Sequence, residues 1–339
     1  MHKRKISGCL WKACVSGKKE AGAKAHRAER IVGGTMKKTM EQIILEGQVA
    51  KCRSLEELYV LWELMQQMEE DPFGNTCYPE LDQRNFHIDG IVDPVHYDGI
   101  LYILKETNMR KMIQKGETMP VVSDIRGDFL SGKSPSGRVE YLEYLTGMQK
   151  VLWEERHPGE ECRLTGKKLR EKAAVLYLNK RGGKGAADEV SLDYGQYYME
   201  FIKKQIRLLN PKTVVCCGED LFRLIVMEVF QNKKQKKNRE IYMKWKDLVL
   251  GDVFFADREY RPIKEAKKDE AAVRVVRMWN PSYRVNNGQY VSLEEYLKEF
   301  RRRLSGGKED EQENLQSAGP DEENTESPMT EDPAMEKSE

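Results

Sequence analysis

Ile100-Leu101-Tyr102-Ile103-Leu104 is an unbroken apolar run that ends abruptly in the polar residues Lys105-Glu106-Thr107-Asn108. Two later runs have a similar form, Ala173–Leu178 and Thr213–Cys217, and Val273–Trp279 is apolar except for Arg274 and Arg277. Short apolar runs that stop at polar residues are typical of strands buried on both faces, which occur in parallel sheets. The sequence therefore predicts a central four-stranded parallel sheet.

Helical patterns separate these runs. Apolar residues recur at helical spacing over 55–65, 198–209, 221–230 and 293–304, and Ser54 with Glu57 forms a capping-box pattern. Residues 241–255 favour a hairpin. Strands that alternate with helices predict a three-layer α/β/α sandwich. Ligands of such folds bind beyond the carboxyl ends of the strands, so the polar residues that follow each strand are the candidate site.

The charge of the chain lies mainly in its two ends. The whole sequence has a net charge of +1, but residues 1–40 carry +9 and residues 305–339 carry −10. We expect three parts: a basic, disordered extension over 1–40, the folded domain over 41–304, and an acidic, disordered tail over 305–339 that shields a basic surface. Residues 1–35 are either a reading-frame extension upstream of Met36 or a basic arm that holds nucleic-acid phosphates.

Composition argues against several classes of protein. No apolar segment is long enough for a membrane-spanning helix, and the first residues lack the pattern of a secretory signal. The seven cysteines contain no C-x-x-C pair, so we expect neither a disulfide framework nor a zinc site, and the adjacent Cys216 and Cys217 read as buried hydrophobes. These features predict a cytoplasmic protein that does not associate with membranes.

Three of the four strand ends carry residues that form a recognisable set: Glu106, the pair Leu178-Asn179, and Asn280-Pro281-Ser282. In this order they resemble the motifs of the uracil-DNA glycosylase superfamily. The resemblance covers residues 85–304 by the order of elements, and only Asn-Pro-Ser is close to a literal match. It implies a uracil-DNA glycosylase-like fold, DNA as the partner, and hydrolysis of the bond between a flipped base and its sugar, in repair or in defence against foreign DNA.

The resemblance also implies roles for single residues. Glu106, for which Lys105 is the alternative at that position, and Asn280 are the candidate catalytic residues. Candidates for binding the base are Asn179, Phe129 and Lys105. Candidates for contacting DNA are Arg181, Lys184, Ser282, Tyr283 and Arg284. The four spaced cysteines of the iron-sulfur branch are not present, so we expect no cluster, metal or other cofactor.

The chemistry of base release supports these roles independently. Its transition state places positive charge on the sugar and negative charge on the departing base, as in glycoside hydrolysis. A carboxylate such as Glu106 can orient water and stabilise the cation, and the amide of Asn280 can donate to a base oxygen. Asn179 offers two donors and an acceptor to the edge of a flipped base.

Other interpretations of the same residues stay open. Asn179 and Asn280 could simply close turns by bonding to their own backbone. The chain could be an inactive nucleic-acid-binding module of the same fold. Residues Gly127–Ser134 also fit the phosphate-binding pattern G-x-x-x-x-G-K-[ST], which makes a P-loop NTPase a third possibility, although Pro135 follows the match at once.

Overall fold

A computed structural model describes residues 39–68, 85–109, 114–115, 122–133, 139–183, 188–230, 251–257, 259–261, 272–282 and 289–306. Lys184, Tyr283 and Arg284 lie outside the described residues. So do nearly all residues of the two charged terminal segments and most of the expected hairpin over 241–255.

The described strands form one large and one small sheet. Their bounds are β1 Phe86–Ile88, β2 Gly90–Ile91, β3 Ile100–Asn108, β4 Val122–Asp124, β5 Ala173–Gly183, β6 Thr213–Cys217, β7 Val253–Ala256 and β8 Val273–Met278. The large sheet has the order β2-β5-β3-β6-β8-β7, and β1 pairs with β4 in a separate two-stranded sheet.

The four expected strands lie next to one another in the large sheet. β5, β3, β6 and β8 are parallel, whereas β2 and β7 pair antiparallel at the two edges. The sheet is therefore six-stranded and mixed, not four-stranded. The edge strands escaped prediction because β2 has only two residues, and because β7 pairs with β8, which follows it, rather than with residues that precede it.

Helices occupy the intervals between strands. Their bounds are α1 Met40–Val49, α2 Leu55–Gln67, α3 Arg126–Ser131, α4 Val139–Arg156, α5 Gly166–Glu171, α6 Asp188–Tyr197, α7 Met199–Leu209, α8 Glu219–Ile225 and α9 Leu293–Leu304, with a π-helix Val226–Phe230 after α8. The expected bounds of α9 are confirmed. Ser292 and Glu295 form a reciprocal capping box there, which fixes its start.

Helices cover both faces of the sheet. Tyr102 and Leu104 of β3 lie in a buried cluster with Met148 of α4 and Phe300 of α9. The alternate positions of β5 face the other way, because the side chain of Leu178 lies directly against Gly195 of α6. The molecule is thus a mixed α/β protein with a mostly parallel central sheet between helices. None of the described helices is long and apolar enough to cross a membrane.

Candidate active site

Glu106 and Asn179 meet at the carboxyl ends of two neighbouring parallel strands. They are direct register partners in the β3–β5 pair. Asn179 Nδ2 donates to Glu106 Oε2 at 3.0 Å, and Ser191 Oγ of α6 donates to the same oxygen at 2.9 Å. Glu106 is half-buried as a residue, and these two hydrogen bonds orient its carboxylate.

Both strands continue further than the apolar runs indicated. Residues 105–108 belong to β3, and residues 179–183 belong to β5. The register shifts between Glu106 and Asn108, so that Asn108 pairs with Gly183. The polar residues therefore lie on paired strands rather than in loops, and this fixes their positions more firmly than the sequence suggested.

The side chain of Asn179 also closes a turn in its own strand. Its Oδ1 accepts from the backbone nitrogen of Arg181 at 3.0 Å, and its Nδ2 donates to the carbonyl of Gly182 at 3.1 Å as well as to Glu106. The residue is 2% exposed. In this conformation the turn-closing interpretation describes Asn179, because its oxygen and both amide hydrogens have partners.

Two glycines, Gly182 and Gly183, lie directly on the polar side chains of β3. A Cβ atom at Gly183 would stand 2.0 to 2.2 Å from the carboxylate of Glu106. At Gly182, which has a φ of +81°, a Cβ would stand 2.7 Å from Thr107 Oγ1 and 2.9 Å from His87 Nε2. Only glycine permits this approach at both positions.

His87 lies in this region and is not among the candidate site residues named from the sequence. It belongs to β1, and its Nδ1 lies 2.5 Å from Oγ of Ser123, its register partner on β4. Burial lowers the pKa of His87 to about 4, although the nearby Asp89 opposes that shift. The imidazole is therefore neutral at pH 7.

A buried ion pair anchors the same end of β5. Lys180 Nζ donates to Asp89 Oδ2 at 2.5 Å, and both side chains are fully buried. Asp89 also accepts from the backbone nitrogen of Tyr177 at 2.6 Å, from Gln205 Nε2 at 2.6 Å and from the Tyr59 hydroxyl at 3.1 Å. Burial lowers the pKa of Lys180 against the opposing effect of Asp89. With four donors on the carboxylate of Asp89, the pair holds β5 in place one residue from Asn179.

Asn280 lies beyond the end of β8, on the same edge of the sheet as Glu106. β6 separates β8 from β3, and two strand spacings amount to about 10 Å. Asn280 is half-buried, and its Oδ1 accepts from the backbone nitrogen of Ser282 at 2.8 Å. Its oxygen closes a turn, while its amide nitrogen has no hydrogen-bond partner among the described residues.

The other described candidates occupy more varied positions. Lys105 is half-buried and its Cε reaches to 3.2 Å from where a Cβ of Gly218 would stand, at the end of β6. Phe129 is 3% exposed and packs in the same cluster as α4 and α9. Arg181 is 7% exposed. In this conformation neither the ring of Phe129 nor Arg181 is displayed at the surface for a nucleic acid.

The described residues of the phosphate-loop match, 127–133, do not form a phosphate loop. Residues 127–131 belong to α3, which ends where Gly132 turns left-handed with a φ of +80°. The backbone nitrogens of Phe129, Gly132 and Lys133 donate to carbonyls within this turn of the chain. These nitrogens are therefore not free to bind a phosphate. A phosphate-binding loop also needs a strand before it and a helix directly after it.

One group of side chains has the composition of a metal site. Asp93, His96 and Glu171 bring one potential ligand atom each within 4.8 Å of one another, near the start of β5. His96 Nδ1 lies 3.0 Å from Asp93 Oδ2, so a hydrogen bond between them accounts for much of this closeness. The group lies at the opposite end of β5 from Glu106 and has no connection to the candidate active site.

Comparison with models of known protein families gives no match, and comparison with curated proteins also gives none. The functional interpretation therefore rests on the residues and geometry of this chain.

Proposed function

We propose that this protein is a uracil-DNA glycosylase-like enzyme that hydrolyses the bond between sugar and base at a flipped uracil or modified base in DNA. The proposal rests on the hydrogen bond between the side chains of Glu106 and Asn179 at the carboxyl ends of adjacent parallel strands. Parallel sheets bind their ligands at this edge. Two neutral donors, Asn179 Nδ2 and Ser191 Oγ, fix the position of the Glu106 carboxylate at this edge, as electrostatic stabilisation of a transition state requires.

Each proposed role uses a group that is suited to it. Glu106 orients water and stabilises the positive charge that develops on the sugar. Asn280 donates from its amide nitrogen to an oxygen of the departing base, while its own oxygen stays in the turn. Asn179 reads the edge of the base. Lys105 supports base binding from the end of β3, next to Glu106. The segment 282–284 contacts DNA.

A catalytically inactive binding module of the same fold is the second candidate. One observation favours it: Gly183 lies against the carboxylate of Glu106, and the hydrogen-bonding groups of Asn179 have partners within the protein. A protein fixed in this conformation would bind DNA without releasing a base.

The experiment is incubation of the purified protein with a panel of oligonucleotides that each carry a different base, scored by cleavage at abasic sites. Glu106→Gln keeps a carbonyl oxygen for Asn179 and Ser191 but removes the charge. We expect base release to fall ~100-fold or more while DNA binding stays equal or becomes tighter. Asn280→Ala should also slow release, and Asn179→Ala should change which base is accepted.

Glu160→Gln is the matched control, because Glu160 is exposed and lies away from the site. It follows α4, and Arg156 at the end of α4 bonds to Asp98, which precedes β3, so this region is at the opposite end of β3 from Glu106. This control should retain full activity. Full release by Glu106→Gln would refute the role of Glu106. DNA binding by the wild-type protein without release from any base would support the inactive module instead.

A further inference from the structure

Two buried polar atoms next to Glu106 have no hydrogen-bond partner among the described residues. They are Nε2 of His87, a residue that is 4% exposed, and Oγ1 of Thr107, which is 2% exposed. The large majority of buried side-chain polar atoms in folded proteins have a partner, and these two are among nine in the described residues that have none. Here two exceptions occur side by side.

Both atoms point at the same place. Each lies within 2.9 Å of the position that a Cβ atom of Gly182 would take, although His87 comes from β1 and Thr107 from β3. Together with the carboxylate of Glu106 under Gly183, they form a polar floor, which we define as Glu106, Thr107 and His87. The two glycines cover this floor with carbon atoms that cannot form ordinary hydrogen bonds to it.

The cover depends on the residue that is proposed to read the base. The cover is held by the pairing of Gly183 with Asn108 of β3, by the bond from Asn179 Nδ2 to the Gly182 carbonyl and by the bond from the Met109 nitrogen to the Gly183 carbonyl, at 2.7 Å. Asn179 cannot donate this hydrogen to a base and to Gly182 at once. A base bound by Asn179 must take a hydrogen that Asn179 now donates to Gly182 or to Glu106, and in the first case the cover loses one of its bonds.

We propose that His87 and Thr107 are base-binding residues, and that the Gly182–Gly183 segment moves aside so that the edge of the flipped base takes its place on the polar floor. This inference rests on the proposed function and deepens it. A neutral imidazole nitrogen and a hydroxyl together offer hydrogen-bonding partners to the adjacent N–H and carbonyl groups of an uncharged base edge. Neither group supplies the positive charge that would favour a phosphate at this position.

The first test is Thr107→Val, which removes the hydroxyl and keeps the shape of the side chain. Because the hydroxyl has no hydrogen-bond partner among the residues that the structure describes, the melting temperature should stay equal or rise. Binding of an oligonucleotide that contains uracil, or the base preferred in the panel above, should weaken by about fivefold to tenfold. A purely structural role of Thr107 predicts the opposite: lower stability and unchanged binding.

Thr165→Val is the matched control for this substitution. Thr165 caps α5 by accepting from the nitrogen of Lys168 at 3.3 Å, and it precedes the start of β5, away from the polar floor. The control should lower the melting temperature and leave binding unchanged.

The second test follows the His87 imidazole directly by ¹⁵N NMR, with His87→Asn used to assign its signals. Addition of the same oligonucleotide should shift Nε2 of His87, whereas inorganic phosphate should not. Unchanged affinity of Thr107→Val together with an unchanged His87 signal, while the wild-type protein binds and releases a base, would overturn this inference and leave the proposed function standing. A wild-type protein that binds no oligonucleotide would overturn both. A shift on phosphate addition would overturn the assignment to a base edge.

Discussion

Gly183→Ala tests whether the position of the Glu106 carboxylate matters for base release. The new Cβ atom would stand 2.0 Å from Oε1 and 2.2 Å from Cδ and Oε2 of Glu106. An ordinary contact distance is about 3.5 Å, so the carboxylate must move by more than about 1 Å. Gly183 does not have a left-handed φ, so the backbone itself can accept alanine.

This displacement should cost function far more than stability. A misplacement of about 1 Å at a reacting group can reduce the rate ~100-fold, and we expect that fall in single-turnover base release. The loss of the bonds from Asn179 and Ser191 costs about 1 kcal/mol each, partly offset by the lower entropy of alanine in the unfolded chain. The free energy of unfolding measured in urea should therefore change by no more than about 2 kcal/mol.

Gly47→Ala is the control for this experiment. No other atom lies within 4 Å of a Cβ at Gly47, which is exposed on α1, so we expect a gain of about 1 kcal/mol in stability and full activity. Full base release by Gly183→Ala would refute the catalytic position of Glu106. A large loss of stability would refute the reasoning that only the end of one side chain has to move.

Two further predictions concern the polar groups around β5. The free energy of unfolding should rise with pH between about 4 and 6.5, because His87 stays neutral in the fold while its exposed imidazole in the unfolded chain takes up a proton. The shift in the pKa of His87 corresponds to roughly 3 kcal/mol, and His87→Asn should flatten this part of the urea-unfolding profile. Asp89→Asn leaves Lys180 buried without its counter-ion and should cost about 3–5 kcal/mol in urea unfolding. Adding Lys180→Met to Asp89→Asn should recover a large part of that loss, and failure to recover any would show that the charge itself is not the cause.

The parts of the fold that were predictable are those in which local pattern and burial agree. Thr213–Cys217 is apolar along its whole length and forms β6 with the expected bounds. α9 carries its own capping box and an apolar stripe, and its bounds also agree. α4 was not predicted, although Leu145, Met148 and Leu152 recur at helical spacing along it.

The parts that could not be predicted depend on distant partners. The polar residues 105–108 look like a strand end, and they continue β3 only because residues 179–183 of β5 pair with them. Asp89-Gly90 has the form of a turn, and nothing near Asp89 in the sequence indicates an ion pair with Lys180, 91 residues later. The pairing of Glu106 with Asn179 could be expected from the order of strands. The position of Gly182 and Gly183 over the polar floor could not be predicted, because it depends on the register shift between β3 and β5.

The single carboxylate of Asp89 also decides how this molecule can come apart. Its donors come from α2, β5 and α7, so detachment of any one of these elements leaves a hydrogen-bonding site or a charge stranded in apolar surroundings. Detachment of α2 therefore leaves Asp89 short of the Tyr59 donor, at a cost of about 1.5–3 kcal/mol beyond the loss of packing. Although α2 lies early in the chain, its amide hydrogens should exchange with solvent more slowly than those of α1, which supplies no donor to Asp89 among the described contacts.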